Sequence, residues 1–329
     1  MTPRALLAAL AGLVVLLFAG SLLVGPAGVG PGDSLAALVL GGDGPLSVVM
    51  REVRLPRALL GVLVGASLGL GGAALQGYLR NPLAEPGLVG VGPGAALGAV
   101  IALQTGFAAA VPLGLPAAAL AGAGIAVLLL LVLAGPRSSS MTLILAGVAL
   151  AALAGALTAL VLNLSPNPYA ATEIVFWLMG SLADRSFVHV AVALPFVAVG
   201  AWLMLGLGRG LDALTLSEDA AASLGIRLDR LRLRLVLGVA AAVGASTAVA
   251  GSIGFVGLVV PHLLRSAVGA RPSALLPASA LGGAAMVLAA DIAVRLILPE
   301  RGLQLGVVTA LVGAPLFLHL IFRTRREFR

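Results

Sequence analysis

The chain has 329 residues, of which 60% are hydrophobic and only 10% are charged, and its mean hydropathy is +1.14. A soluble domain carries about 25% charged residues, so a water-soluble fold of this composition would expose large apolar patches and aggregate. The net charge of +7 is the difference between 20 basic and 13 acidic residues, and the basic residues, all arginine, lie in short clusters between apolar runs. This distribution argues against a nucleic-acid surface and predicts an integral membrane protein.

Apolar runs long enough to cross a bilayer, which takes about 20 residues, recur along the chain between Gly, Pro or charged breaks. The predicted spans are 5–24, 58–79, 88–107, 112–134, 142–163, 187–207, 233–252, 255–268, 274–298 and 303–322. The first run could be read as a signal peptide, but its length favours a membrane helix. The eighth is short and contains Pro261, so we expect it to be broken or buried against its neighbours. The sequence predicts one all-α, polytopic domain over residues 1–329.

Two of the predicted spans carry glycines at every fourth residue. Gly61, Gly65 and Gly69 form such a row in the second span, and a similar row runs through 90, 94 and 98 in the third. Small residues on one helix face allow another backbone to come close. The rows therefore predict tight helix packing.

Most of the arginines fall on one side of the membrane when the N-terminus is placed inside. Cytoplasmic loops carry an excess of basic residues, so both termini are expected in the cytoplasm. Arg51, Arg54 and Arg57 are exceptions on the outer side. They either anchor the second span at the interface or form a positive patch for an acidic partner.

Chemically active groups are scarce in the spans. Asp291 and Arg295 are the one clear charge pair within an apolar run, four residues apart on one helix face. Intramembrane charge points to function by default, but a structural ion pair near a helix end is an equal alternative. His189, His262 and His319 are far apart and there is no Cys. We expect no catalytic residue, metal or cofactor.

The chain also lacks lysine. A Walker A loop needs its lysine on the β- and γ-phosphates of the nucleotide. If ATP drives this protein, a separate subunit must hydrolyse it.

The longest polar stretch runs from 209 to 234 and is expected on the cytoplasmic face. Ser217 can cap a short helix whose first turn holds Glu218 and Asp219, and Gly225 can end that helix. The stretch predicts two short amphipathic helices, and a short capped helix suits a partner's groove.

Seven ordered segments resemble the membrane permeases of type II ABC importers, which carry iron–siderophore complexes, haem or cobalamin. They are RLPRALLGVLVGASLGLGGAALQGYLRNPLAEPGLVGVGPGAALGAV (54–100), LILAGVAL (143–150), FWLMGSL (176–182), LSEDAAASLG (216–225), AGSIGFVGLVVPH (250–262), LLPASALGGAAMVLAADIAVR (275–295) and GVVTALVGAP (306–315). The resemblance covers nearly the whole chain. It implies ten helices per subunit, a homodimer with the pathway on its two-fold axis, two copies of a separate ATPase, and an external binding protein.

The resemblance also implies roles for particular residues. Those matching the family's binding-protein docking arginines are Arg54, Arg57 and Arg295. Those matching its cytoplasmic gate are Asn81, Leu83, Ser140 and Met141, where Met141 departs from the family's small polar residue. Segment 216–230 matches the loop that couples to the ATPase, with Ser217, Glu218, Asp219, Ala220, Ala221, Gly225 and Arg227. The fifth helix and 172–182 are expected to line the path.

The lead hypothesis is a permease subunit without catalytic activity, in the bacterial cytoplasmic membrane and surrounded by lipid. Iron–siderophore uptake is the expected role, with haem and cobalamin as alternatives. A secondary transporter and a non-transporting scaffold are the competing classes. The missing lysine and the polar loop favour the permease.

Overall fold

A computed structural model describes residues 2–25, 30–41, 44–135, 140–166, 168–297 and 303–327 of the chain. Every regular element within these ranges is a helix. The α-helices are α1 (Pro3–Leu23), α2 (Pro31–Val39), α3 (Pro45–Val48), α4 (Leu55–Leu79), α5 (Val91–Gln104), α6 (Phe107–Ala110), α7 (Gly114–Ala134), α8 (Ser140–Asn163), α9 (Pro168–Leu178), α10 (Phe187–Leu205), α11 (Gly208–Leu214), α12 (Glu218–Ser223), α13 (Leu228–Ala250), α14 (Val256–Arg265), α15 (Pro272–Ile297) and α16 (Leu305–Glu327). A π-helical turn at Val49–Arg54 joins α3 to α4, and 3-10 turns lie at Pro86–Val89 and Ser266–Val268.

Each of the ten predicted spans falls on a helix of the described chain. Seven helices are long and apolar enough to cross a membrane, and Val91–Gln104, Val256–Val268 and Leu305–Leu318 are shorter apolar helices. The predicted third span is shorter than expected, because Gly90 takes a left-handed conformation (φ 76°) that separates the 3-10 turn from α5. The eighth span is short and buried over Val256–Pro261, as expected.

The core of the bundle lies around α4, which packs against both α15 and α13, and α4 and α13 are the most buried long helices of the described chain. The glycine row of α4 faces α15. A Cβ on Gly69 would lie 2.0 Å from the carbonyl oxygen of Ser279, and one on Gly65 would lie 2.3 Å from that of Gly283. The predicted close packing at this row is therefore confirmed.

The second glycine row packs α5 against α7. A Cβ on Gly98 would lie 2.1 Å from the Ala118 carbonyl oxygen, and Gly122 of α7 is equally close to Gly94. By contrast, most of α8 is exposed, with apolar side chains such as Leu145 and Leu157 facing outward. The bundle thus combines a tightly packed centre with a loosely packed helix at its side.

Candidate functional site

A buried carboxylate organises one end of the bundle, which we call the arginine end (Arg54, Arg57, Asp291 and Arg295). Arg57 Nε donates to Asp291 Oδ1 at 2.9 Å, and Arg57 Nη2 lies 2.8 Å from the same oxygen. Arg295 Nη2 lies 2.8 Å from Asp291 Oδ2. One carboxylate therefore holds two guanidinium groups, and the local Asp291–Arg295 pair read from the sequence is confirmed.

Arg54 and Arg295 also bind the carboxyl end of α1. Arg54 Nη1 donates to the Leu22 carbonyl at 2.8 Å, and Arg295 Nη1 donates to the carbonyls of Ser21 and Val24, each at 2.8 Å. The last carbonyls of a helix have no partner within it and carry partial negative charge. These two arginines complete the end of α1. Sequence reasoning missed this role, because nothing in the local pattern pairs position 54 with position 22.

The opposite end of α4 leads into the predicted gate. Arg80 takes a left-handed conformation (φ 49°) that ends the helix, and Asn81 Oδ1 accepts a hydrogen bond from the Leu83 backbone N–H at 2.9 Å. The Leu83 side chain is exposed. Burial raises the pKa of Glu85, two residues further on, because it disfavours the charged carboxylate.

The start of α8 meets the polar loop at this same end, which we call the loop end (Arg80, Ser140 and α11–α12). Ser140 Oγ donates to Glu218 Oε1 at 2.9 Å, and Arg80 Nη2 lies 3.7 Å from the same oxygen. Met141, the next residue, is exposed. A predicted gate residue and a predicted coupling residue are thus in direct contact, which the sequence did not indicate.

The short helix α12 is built as the sequence predicts. Ser217 Oγ accepts a hydrogen bond from the Ala220 N–H at 2.9 Å, while Glu218 and Asp219 lie in the first turn. Gly225 follows the helix with φ 81°. Ala221 is fully buried, whereas Asp219 is exposed. Ala220 lies in α12, between Asp219 and Ala221. Arg227 is the residue immediately before α13.

Helix α11 ties the loop end to α15. Asp212 Oδ1 accepts from the Ser273 N–H at 2.8 Å, and Arg271 Nε lies 3.0 Å from Asp212 Oδ2. Burial on its own would raise the pKa of Asp212, but the hydrogen bonds from Ser273 and Arg271 outweigh it, so the pKa lies below its usual value. Asp212 thus caps the start of α15, and its hydrogen bond to the Ser273 N–H joins residues 61 positions apart in the chain.

The segment GSIGF between α13 and α14 has a packing role. The Ser181 N–H donates to the Ala250 carbonyl at 2.7 Å, and the Gly306 N–H donates to the Met179 carbonyl at 3.1 Å. A Cβ on Gly251 would lie 2.2 Å from the Trp177 carbonyl oxygen. Glycine therefore allows the chain after α9, the GSIGF segment after α13 and the start of α16 to meet.

An apolar cavity of about 590 Å³ lies beside this junction. Its walls include Leu178, Met179, Ser252, Val307 and Leu311, from the end of α9, the GSIGF segment and α16. Non-helical backbone at membrane depth is tolerated where protein buries it or where it lines a cavity. Segment 172–182, expected to line a path, thus contributes to a cavity wall.

The profile of the FecCD transport family matches residues 13–323 of the chain. The chain belongs to this family. It is 45% identical over 273 residues to the vitamin B12 import system permease protein BtuC of Vibrio cholerae, covering 83% of this chain and 82% of that protein. It is 37% identical over 320 residues to the Fe(3+)-citrate import system permease protein YfmE of Bacillus subtilis, covering 97% and 95%.

The fold also matches a solved structure. A metal-chelate type ABC transporter in an inward-facing conformation superposes with a TM-score of 0.84 at 33% identity, over 98% of this chain and 99% of the other. The FecCD-family chain therefore has the type II ABC importer permease fold and is a multi-pass permease of an ABC importer.

The residues carried over from the family resemblance lie at two ends of this permease. Arg54, Arg57 and Arg295 gather at the arginine end, but the side chains of Arg54 and Arg295 are buried in contacts within the chain. Arg57 keeps 17% of its side chain exposed. Their docking role stays a prediction, as do the gate and coupling roles at the loop end.

Proposed function

We propose that this chain forms the membrane path of a binding-protein-dependent ABC importer for a metal chelate. The observation that carries the proposal is α12, a capped helix that contacts the bundle through Ala221 and Glu218 and leaves Asp219, Ala222 and Ser223 exposed at the loop end. A separate ATPase can seat such a helix in a groove. Since the chain has no lysine, a Walker A loop must come from that partner.

An iron–siderophore complex is the first candidate cargo, and cobalamin is the second. The similarity to a relative named for Fe(3+)-citrate import supports the first, and the 45% identity to a relative named for vitamin B12 import supports the second. Both are metal ions enclosed by a large organic ligand. Haem, which the family resemblance also implies, is the third candidate cargo.

The loop end is proposed to face the cytoplasm, with the arginine end outside. The arginines of 209–234 support this orientation through the excess of basic residues in cytoplasmic loops. Both termini then lie in the cytoplasm, and the protein resides in the bacterial inner membrane. Two copies of the ATPase bind the loop ends of a permease homodimer.

The exposed apolar surface supports the homodimer. Helices α8, α9 and α16 leave large apolar side chains uncovered, among them Leu153, Phe176 and Leu311. A second copy would bury part of this surface and membrane lipid the remainder. The pathway then runs along the two-fold axis, with Asn81, Leu83, Ser140 and Met141 closing it at the loop end.

Docking of the binding protein is proposed at the arginine end. The cluster contains three arginines and one acidic side chain, Asp291, so it carries excess positive charge that attracts a partner's carboxylates. Arg57 is the most accessible of the three. It is the arginine best placed to reach an external acid, while Arg54 and Arg295 hold it in position through α1 and Asp291.

Reconstitution in liposomes tests the proposal. The permease, its ATPase and its binding protein are combined, and the uptake of a ferric hydroxamate siderophore, cyanocobalamin and haemin is measured with and without ATP. We expect ATP-dependent accumulation of one of them that requires the binding protein. Uptake by the permease alone along an ion gradient would identify a secondary transporter instead.

A further inference from the structure

Glu218 lies between a tightly packed helix and a loosely packed one. Its Oε1 accepts a hydrogen bond from Ser140, the first residue of α8, and lies 3.7 Å from Arg80 at the end of α4. Helix α4 is largely buried within the bundle, whereas α8 is mostly exposed. One carboxylate oxygen thus bridges the end of the buried helix α4 and the start of the mostly exposed helix α8.

The carboxylate belongs to α12, which makes few other polar contacts with the bundle. Ser217 accepts from the Ala220 N–H and Ser223 donates to the Asp219 carbonyl, both within α12 and its cap, and Asp219 is exposed. Ala221 provides its buried apolar contact. The hydrogen bond between Glu218 and Ser140 is therefore a polar side-chain contact through which a shift of α12 can reach α8.

We propose that Glu218 is the positioning residue that transmits movement of α12 to the gate, by holding Ser140 and the start of α8. The inference rests on the proposed function, in which α12 seats in the ATPase and Ser140 belongs to the gate. The Arg80 guanidinium lies 3.7 Å from the carboxylate oxygen that accepts from Ser140. A hydrogen bond to a charged acceptor is shorter and stronger than a neutral one, which suits a contact that pulls one helix with another.

A double-mutant cycle tests the contact. The readout is the number of chelate molecules taken up per ATP hydrolysed, for wild type, Ser140→Ala, Glu218→Ala and the double variant. Each single substitution is expected to lower this ratio roughly threefold to tenfold, because the contact is a partly exposed, charge-assisted hydrogen bond. The double variant is expected to match the single ones, while ATP hydrolysis continues in all four. Multiplying effects of the two substitutions would overturn the inference.

Two matched variants separate this contact from a general effect of α12. Glu218→Gln keeps an oxygen that accepts from Ser140 but loses the charge, so it is expected to lower the ratio less than Glu218→Ala does; a loss as large as that of Glu218→Ala would overturn the assignment. Asp219→Ala removes the neighbouring acid, and its effect is expected to multiply with that of Ser140→Ala. If the Asp219→Ala, Ser140→Ala double variant instead lowered the ratio no further than either single variant, a specific role of Glu218 would be contradicted.

A cross-link provides a second measurement, in which a covalent link replaces the hydrogen bond. The chain has no native cysteine, so Ser140→Cys and Glu218→Cys introduce its only two thiols, and the loss of the hydrogen bond should lower uptake per ATP hydrolysed in this variant. Joining the thiols with a short cleavable bismaleimide should raise the ratio toward wild type, and cleaving the linker should lower it again. An unchanged ratio in fully cross-linked protein would overturn the inference. Failure of the unmodified wild type to take up any chelate with ATP would instead contradict the proposed function on which it rests.

Discussion

Arg57 and Asp291 lie 234 positions apart in the chain, yet Arg57 Nη2 is 2.8 Å from Asp291 Oδ1. The pair joins the start of α4 to the end of α15, and Arg295 holds the second carboxylate oxygen. Since Arg54 and Arg295 also bind the last carbonyls of α1, three helices meet through this cluster.

Removing the shared carboxylate should destabilise the permease. Asp291→Ala leaves two guanidinium groups without their buried counter-charge, and breaking such a pair costs about 3 kcal/mol. The thermal unfolding midpoint of the detergent-solubilised protein measures the loss. Glu52→Gln, which removes an exposed acid from the same end of the bundle, serves as the control and should leave the midpoint in place. Equal midpoints for Asp291→Ala and wild type would contradict the role of the cluster.

The docking and structural roles of the arginines should separate on mutation. Arg57→Glu is expected to weaken the affinity for the binding protein, most strongly at low salt, since partly exposed charge pairs are screened by ions. Arg54→Ala is expected to lower thermal stability, because it uncaps α1. Binding of the triple Arg54→Glu, Arg57→Glu, Arg295→Glu variant at wild-type affinity in low salt would refute docking at this end.

Two glycines of α7 should respond differently to substitution by alanine, because only one of them faces α5. A Cβ on Gly122 would lie 2.2 Å from the Gly94 carbonyl oxygen, whereas one on Gly124 meets nothing within 4 Å among the described residues. Gly122→Ala should therefore cost about 1–3 kcal/mol through overpacking, seen as a lower unfolding midpoint. Gly124→Ala should be neutral, and an equal loss at both positions would show that the packing argument fails.

The conformation of Gly225 should matter for coupling and not for assembly. Its φ of 81° lies in the left-handed region, which costs a residue with a Cβ about 1–2 kcal/mol. Gly225→Val should keep the dimer on size-exclusion chromatography while lowering chelate uptake per ATP hydrolysed. Asn tolerates this backbone conformation, so Gly225→Asn should stay closer to wild type. Wild-type uptake and hydrolysis in Gly225→Val would place the coupling contact elsewhere.

The cap that Asp212 provides should depend on pH in a defined direction. Its pKa is lower in the folded protein than the ordinary value of 3.8, so the ionised carboxylate contributes stability above that value, and the contribution is lost as pH falls through the lower folded pKa. Asp212→Asn should reduce the unfolding midpoint at pH 7, and the difference from wild type should shrink below about pH 4. A difference that stays constant down to pH 3 would argue against the ionised cap.

Local sequence patterns by themselves determined the membrane class, the positions of ten apolar helices, the cap and stop of α12, and the Asp291–Arg295 pair. Each of these depends on residues within one or two helical turns, where spacing fixes which side chains share a face. The contacts of Arg54 with α1, Arg57 with Asp291, and Ser140 with Glu218 were decided by the tertiary structure, because they join helices far apart in sequence whose relative positions follow from packing. Gly65 and Gly69 link the two levels: their spacing is visible in the sequence, but that α15 is the helix they admit depends on how the whole bundle packs.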